Sequence, residues 1–136
     1  MDRPIILSAT ADFALDKIGH PESVKKLDAQ SDVSVSEAPT RRMRLGVLEI
    51  QILGANGGLA NVDVTLCRKS NGDSRCSEKF TLALLAGTTA NAKSATVSLG
   101  DRPYTARSGD DGLYVIVAPD AGSSDHTRVY LHATWG

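Results

Sequence analysis

The run Leu48-Glu49-Ile50-Gln51-Ile52 is followed, after an Asn56-Gly57-Gly58 turn, by Val62-Asp63-Val64-Thr65-Leu66, and both runs alternate apolar with polar residues. Successive side chains of a strand point to opposite faces, so a period of two predicts strands with one buried face. A three-residue loop with glycine in the left-handed position would set Ile52 opposite Val62 and Ile50 opposite Val64, predicting a hairpin. Working outward, the pattern recurs in Phe80, Leu82, Leu84, then in Ala95, Val97, Leu99, and more weakly near Tyr104. Leu113, Val115 and Val117 carry Tyr114 and Ile116 on their other side, which predicts a strand buried on both faces. The last run sets Val129, Leu131, Ala133 and Trp135 against Arg128, Tyr130, His132 and Thr134. Gly, Asn, Asp and Pro punctuate these runs at about ten-residue spacing, with no crossover helix between them. The expected fold is all-β: an antiparallel β-sandwich, immunoglobulin-like or jelly-roll-like, of about seven or eight strands with an extended N-terminal arm.

The chain divides, on this reading, into an arm and connector at residues 1–44 and the sandwich at residues 45–136. Ile5, Leu7, Ala9, Ala11, Phe13 and Leu15 alternate as in a strand, although Thr10 could instead cap a short helix ending at Gly19. Residues 21–27 predict a two-turn helix with proline at its first position, and residues 29–40 a polar connector. An extended arm adds strands to neighbouring sheets or wraps them. Ile5, Leu7, Phe13 and Leu15, with the basic Arg41, Arg42 and Arg44, are therefore candidate interface residues.

Cys67 and Cys76 flank Asn71-Gly72 symmetrically. An Asn-Gly pair favours a two-residue type I′ turn, and counting outward sets Cys67 opposite Cys76 on a non-hydrogen-bonded pair, where a cross-strand disulfide fits. That register misaligns the apolar faces further down. A one-residue bulge after Cys76 would bring Val62, Val64 and Leu66 onto the face of Phe80, Leu82 and Leu84. The alternative is that the flat register is wrong and the sulfurs point to opposite faces. Two cysteines without a nearby histidine supply half a zinc shell, so no metal is expected there.

With 136 residues and a formal net charge of −1, the chain can bury a core unaided and carries no global field for nucleic acid. Three arginines near residue 42 give only weak, salt-sensitive attraction, so no nucleic-acid partner is expected. No long apolar run spans a bilayer, so no membrane partner is expected. The first seven residues lack a basic region followed by an apolar core and are read as no secretory signal. Any disulfide would then form late, as in a released particle.

Of the three histidines, His20 precedes a proline, His126 follows Asp125 in a solvated loop, and His132 shares a face with Tyr130 and Thr134. No nucleophile, base and orienting group come together, and residues 87–93 lack the second glycine of a phosphate loop. Neither enzymatic activity nor a cofactor is expected. Asp110, Asp111, Asp120 and Asp125 lie in loops, where calcium prefers oxygen ligands, but Asp-Asp-Gly and Pro-Asp-Ala-Gly are themselves turn formers. Six aromatic residues, three of them assigned to core faces, leave Tyr104, Tyr114 and Tyr130 for any sugar platform.

Residues 46–57, Gly-Val-Leu-Glu-Ile-Gln-Ile-Leu-Gly-Ala-Asn-Gly, resemble the opening strand of a C2 domain, and Glu78-Lys79-Phe80-Thr81-Leu82 is similar to a later strand of that family. The resemblance implies calcium-dependent lipid binding. Where the family places its calcium-binding aspartates, this chain has Gly58-Leu59-Ala60-Asn61-Val62.

These observations favour a structural subunit, bound to other protein subunits in a homo-oligomer or larger particle. A virion is the expected location, as a bacteriophage capsid decoration, neck or tail protein. The alternative is a secreted or periplasmic module binding a glycan or protein.

Overall fold

The computed structural model describes residues 3–9, 12–19, 22–29, 42–87 and 92–135. Where they are described, the alternating runs named above fall mainly in strands, each with at least one face buried against the same core. The strands are β1 (Arg3–Ala9), β2 (Phe13–Asp16), β3 (Ser23–Ala29), β4 (Met43–Gly57), β5 (Asn61–Cys67), β6 (Phe80–Ala83), β7 (Leu85–Ala86), β8 (Lys93–Tyr104), β9 (Tyr114–Pro119) and β10 (Ser123–Trp135). No helix occurs among the described residues.

All pairings are antiparallel, in the order β6-β5-β9-β3-β1-β10-β4-β8-β7, with β2 also on β10. The path comprises two halves, β1-β10-β4-β8 and β3-β9-β5-β6. β2 follows β1 on the same partner, and β7 follows β6 after Leu84, so the ten strands act as eight. Apart from β5 and β6, which are neighbours in one half, the main strands pass alternately between the halves, the strand order of a jelly roll. β6 pairs with β5, whereas β7 pairs with β8, and Leu84 between them donates its N–H to the Ala60 carbonyl at 2.8 Å. The two ends of the path are thus covalently continuous. β7 covers only Lys93 and Ser94 of β8, so the rest of that edge carries no described partner strand.

One apolar cluster joins the halves. Leu48, Ile50 and Ile52 of β4, Val62, Val64 and Leu66 of β5, Val115 and Val117 of β9, and Leu131 of β10 all belong to it. β9 is buried on both faces, as its composition predicts: Ile116 on its outer side is 3% exposed. An added Cβ at Gly72 would stand 3.6 Å from Ile116 and Val24, so the 68–79 connection covers this outer face.

Four expectations are corrected. The described part of residues 1–44 is no separate arm, since β1 lies between β3 and β10 and β3 pairs with β9; residues 30–41 lie outside the described residues. Residues 23–27 are strand rather than helix, because Leu27 (4% exposed) and Ser23 (8%) face inward and two neighbouring strands supply hydrogen bonds that an isolated short helix lacks. β4 and β5 form no hairpin; β4 pairs with β8 and β10, and β5 with β6 and β9, because residues 58–60 carry the chain from one half to the other.

The fourth concerns the cysteines. The tight turn runs from Lys69 to Gly72, with the Gly72 N–H donating to the Lys69 carbonyl at 3.1 Å, and Gly72 takes the left-handed conformation with φ of 90°. Cys67 pairs with Arg75 instead of Cys76, and the Cys76 N–H donates to the Leu66 carbonyl at 2.9 Å. The register is offset by one residue, and a one-residue offset reverses the face of every side chain. Cys76 packs against the core, whereas Cys67 lies on the alternate face with Thr65, and both are free thiols. Below the irregularity the anticipated pairing holds, with Val64 opposite Phe80 and Val62 opposite Leu82.

Candidate functional site

Antiparallel connections gather at two ends of the molecule. At one end, Asn61 Nδ2 donates to Asp120 Oδ2 at 3.2 Å, the Lys17 N–H donates to the Gly122 carbonyl at 3.1 Å, and Lys93 Nζ donates to the Leu59 carbonyl at 2.6 Å. At the other, the 68–79 connection meets the 105–113 connection beside the end of β8.

Arg68 organises this second end. It immediately follows β5 and is 8% exposed. Its Nη1 donates to the Thr105 carbonyl at 2.9 Å and to Asp110 Oδ2 at 2.7 Å, and its Cζ lies 4.6 Å from the centroid of the Tyr104 ring. Desolvation of both ions costs energy, which the ion pair, the second hydrogen bond and the aromatic face together offset. Asp110 also accepts the Arg107 N–H at 2.8 Å. Burial works to raise its carboxyl, but the Arg107 N–H and the Arg68 guanidinium outweigh it and hold it below the usual aspartate value. Next to it, Asp111 accepts the Ser70 N–H at 2.9 Å, which lowers its carboxyl, and Lys69 Nζ donates to the Gly109 carbonyl. The aspartates of this turn thus tie two connections together.

Between these connections and β8 lies a cavity of about 370 Å³ whose lining includes Arg68, Arg75, Arg102, Arg107, Tyr104 and Cys76. Leu45 and Arg102 are direct partners across β4 and β8, so Arg102 reaches into the space between the two halves. Its Nη1 lies 2.6 Å from Glu78 Oε1, a contact that ties β8 to the segment entering β6. Tyr104 is 3% exposed, and its hydroxyl has no hydrogen-bond partner among the described residues. Burial pushes this phenol up to about 12, so it stays protonated and remains a donor throughout the physiological range.

The residues singled out in the sequence are dispersed. Ile5, Leu7, Phe13 and Leu15 lie in the core of this chain, at 4%, 1%, 6% and 0% exposure. Their alternation signalled strands correctly, but the opposite face, which carries Pro4 and Ile6, is the outward one. Arg42 and Arg44 are exposed, and Arg41 lies outside the described residues. Arg44 pairs with Pro103 across β4 and β8, next to the cavity. His126 and Arg128 both meet Asp12, at 3.4 and 2.5 Å, and His132 meets Glu49 at 3.4 Å. His20 lies outside the described residues. Asp120 caps the opposite end of the molecule from Asp110 and Asp111, so these carboxylates do not converge. Tyr104, read as a free aromatic, is buried. The four arginines of the cavity went unnoticed because they are spread over forty positions, and only the meeting of two connections unites them.

No protein-family model matches this chain, and no curated protein does. A chain in the three-dimensional structure of Cocksfoot mottle virus is similar in fold, with a TM-score of 0.46 and 11% identity over 99% of this chain and 93% of that chain.

Proposed function

We propose that this chain is a non-enzymatic structural subunit of a virion that assembles with other protein subunits. The observation that carries the reading is the strand order β1-β10-β4-β8 and β3-β9-β5-β6. Eight-stranded jelly rolls of this kind build viral capsids, lectins and cupins, so the reading is an analogy of fold. The packing argues against the last of these. Leu48, Ile50, Leu66 and Leu131 fill the space between the halves at 0–1% exposure, leaving a packed core where a cupin would hold a ligand. Contacts then fall to the outer faces and the loop ends. On the outer face, Ile6, His132 and Val47 form one cross-strand row over β1, β10 and β4, with Ile6 37% and Val47 38% exposed. Half-exposed aliphatic side chains on a rigid sheet suit burial against a neighbouring subunit.

Light scattering and negative-stain electron microscopy of the purified chain over a concentration series test the reading. Oligomers or closed particles are expected, whereas a monodisperse monomer at every concentration would overturn it.

A further inference from the structure

We propose that the cavity between the 68–79 and 105–113 connections is an oxyanion site that takes a phosphomonoester. Four guanidinium groups line it, two of which, Arg68 and Arg102, are held in place by Asp110 and Glu78. Those two carboxylates neutralise half of the charge. Arg75 and Arg107 have no ion-pair partner among the described residues, so two positive charges remain over. The two uncompensated charges beside one cavity repel each other, and an anion relieves that repulsion.

The planar fork of arginine fits phosphate and carboxylate oxygens in pairs. Charge decides between them. A phosphomonoester carries close to two negative charges above a pKa near 6, matching the excess, whereas a carboxylate leaves one positive charge unmet. Tyr104 lines the same cavity, and its buried hydroxyl has no hydrogen-bond partner among the described residues. Leu45 and Pro103 complete the wall with apolar surface suited to the organic part of an ester, and about 370 Å³ exceeds what an inorganic phosphate fills. The site is independent of the assembly reading, since it resides within one chain.

Titration calorimetry on the full chain with phenyl phosphate, inorganic phosphate and benzoate, in moderate salt at pH 7.5, tests the proposal. Phenyl phosphate should bind with one-to-one stoichiometry and at least tenfold more tightly than benzoate. Its affinity should fall as the pH drops below about 6, where the ester loses its second charge. Inorganic phosphate binding as tightly as phenyl phosphate would assign the bare anion as the recognised group; weaker binding would assign the ester. The double variant Arg75→Ala/Arg107→Ala, both exposed and free of the core, should lose tenfold or more while keeping the wild-type melting temperature. Absence of saturable binding, equal affinity for benzoate, or affinity unchanged in the double variant would overturn the proposal.

Discussion

The Arg68 guanidinium lies over the ring of Tyr104, 4.6 Å from its centroid, while the same group is ion-paired to Asp110 at 2.7 Å. One side chain thereby holds the end of β8 and the 105–113 connection against the end of β5. Each of the two charged side chains is 10% exposed, so neither has water to fall back on.

Arg68→Met should therefore destabilise the fold strongly. Removing one partner of a buried ion pair typically costs about 3–5 kcal/mol, because the other charge is stranded. A chain of this length would lose roughly 10 °C or more in melting temperature. Differential scanning calorimetry at pH 7 measures it, and a change below about 1 kcal/mol would show that Asp110 finds water instead.

Asp110→Asn should alter the acid limb of stability. Burial alone would raise this carboxyl, yet the Arg107 N–H and Arg68 hold it below its ordinary value in the folded chain. A depressed folded pKa means that the contribution is complete above the unfolded value near 4 and is lost as the pH falls through the lower folded value. The stability difference between wild type and Asp110→Asn should then be constant from pH 7 to about 5 and shrink below about 4. Urea titrations across that range measure it; a constant difference down to pH 2 would place the wild-type loss on other carboxylates.

The core was legible in the sequence because period-two alternation is enforced wherever one sheet face is buried: Leu48, Ile50, Ile52, Val62, Val64, Leu66, Val115 and Val117 all point where their pattern says. Partner choice was not legible. Ile50 fits Val64 across a hairpin as well as it fits Val129 on β10, and apolar matching alone cannot separate the two. β3 was missed because its pattern is weak, Val24 and Lys26 being partly buried on the side opposite Ser23 and Leu27. The cysteine register failed because Ser70 and Asn71, not Asn71 and Gly72, occupy the centre of the turn, which alone would set Cys67 opposite Ser74, and one extra residue on the return side, where Ser74 has a φ of 57°, moves the partner to Arg75. The cavity required the topology itself, since nothing local links Arg68 to Arg102.

The two thiols should behave as free and sluggish nucleophiles. Burial is the leading reason that both Cys67 and Cys76 sit above the ordinary thiol value, and Cys67 is 0% exposed. The thiolate is the reactive form, so alkylation of the native chain at pH 8 should be slow and Cys76 should label first. Mass spectrometry after denaturation without reductant should then count two alkylated thiols. A mass lower by two hydrogen atoms with no labelling would show a disulfide, and with it a register different from Cys67 opposite Arg75.

Leu15→Ala separates an integral N-terminus from a docking arm. Leu15 is 0% exposed within the shared core, and its strand β2 pairs with β10, the strand that carries β1 and β4 along its length. Truncating a buried leucine removes transfer energy and leaves a cavity, a loss of about 2–5 kcal/mol. Arg44→Ala, on the exposed side of β4, should change stability by no more than about 0.5 kcal/mol. Chemical denaturation of both variants at equal concentration measures the contrast. If Leu15→Ala left the midpoint unchanged and instead altered only association, residues 13–16 would be docking on a neighbouring copy, and the pairing of β2 with β10 would hold between chains rather than within one.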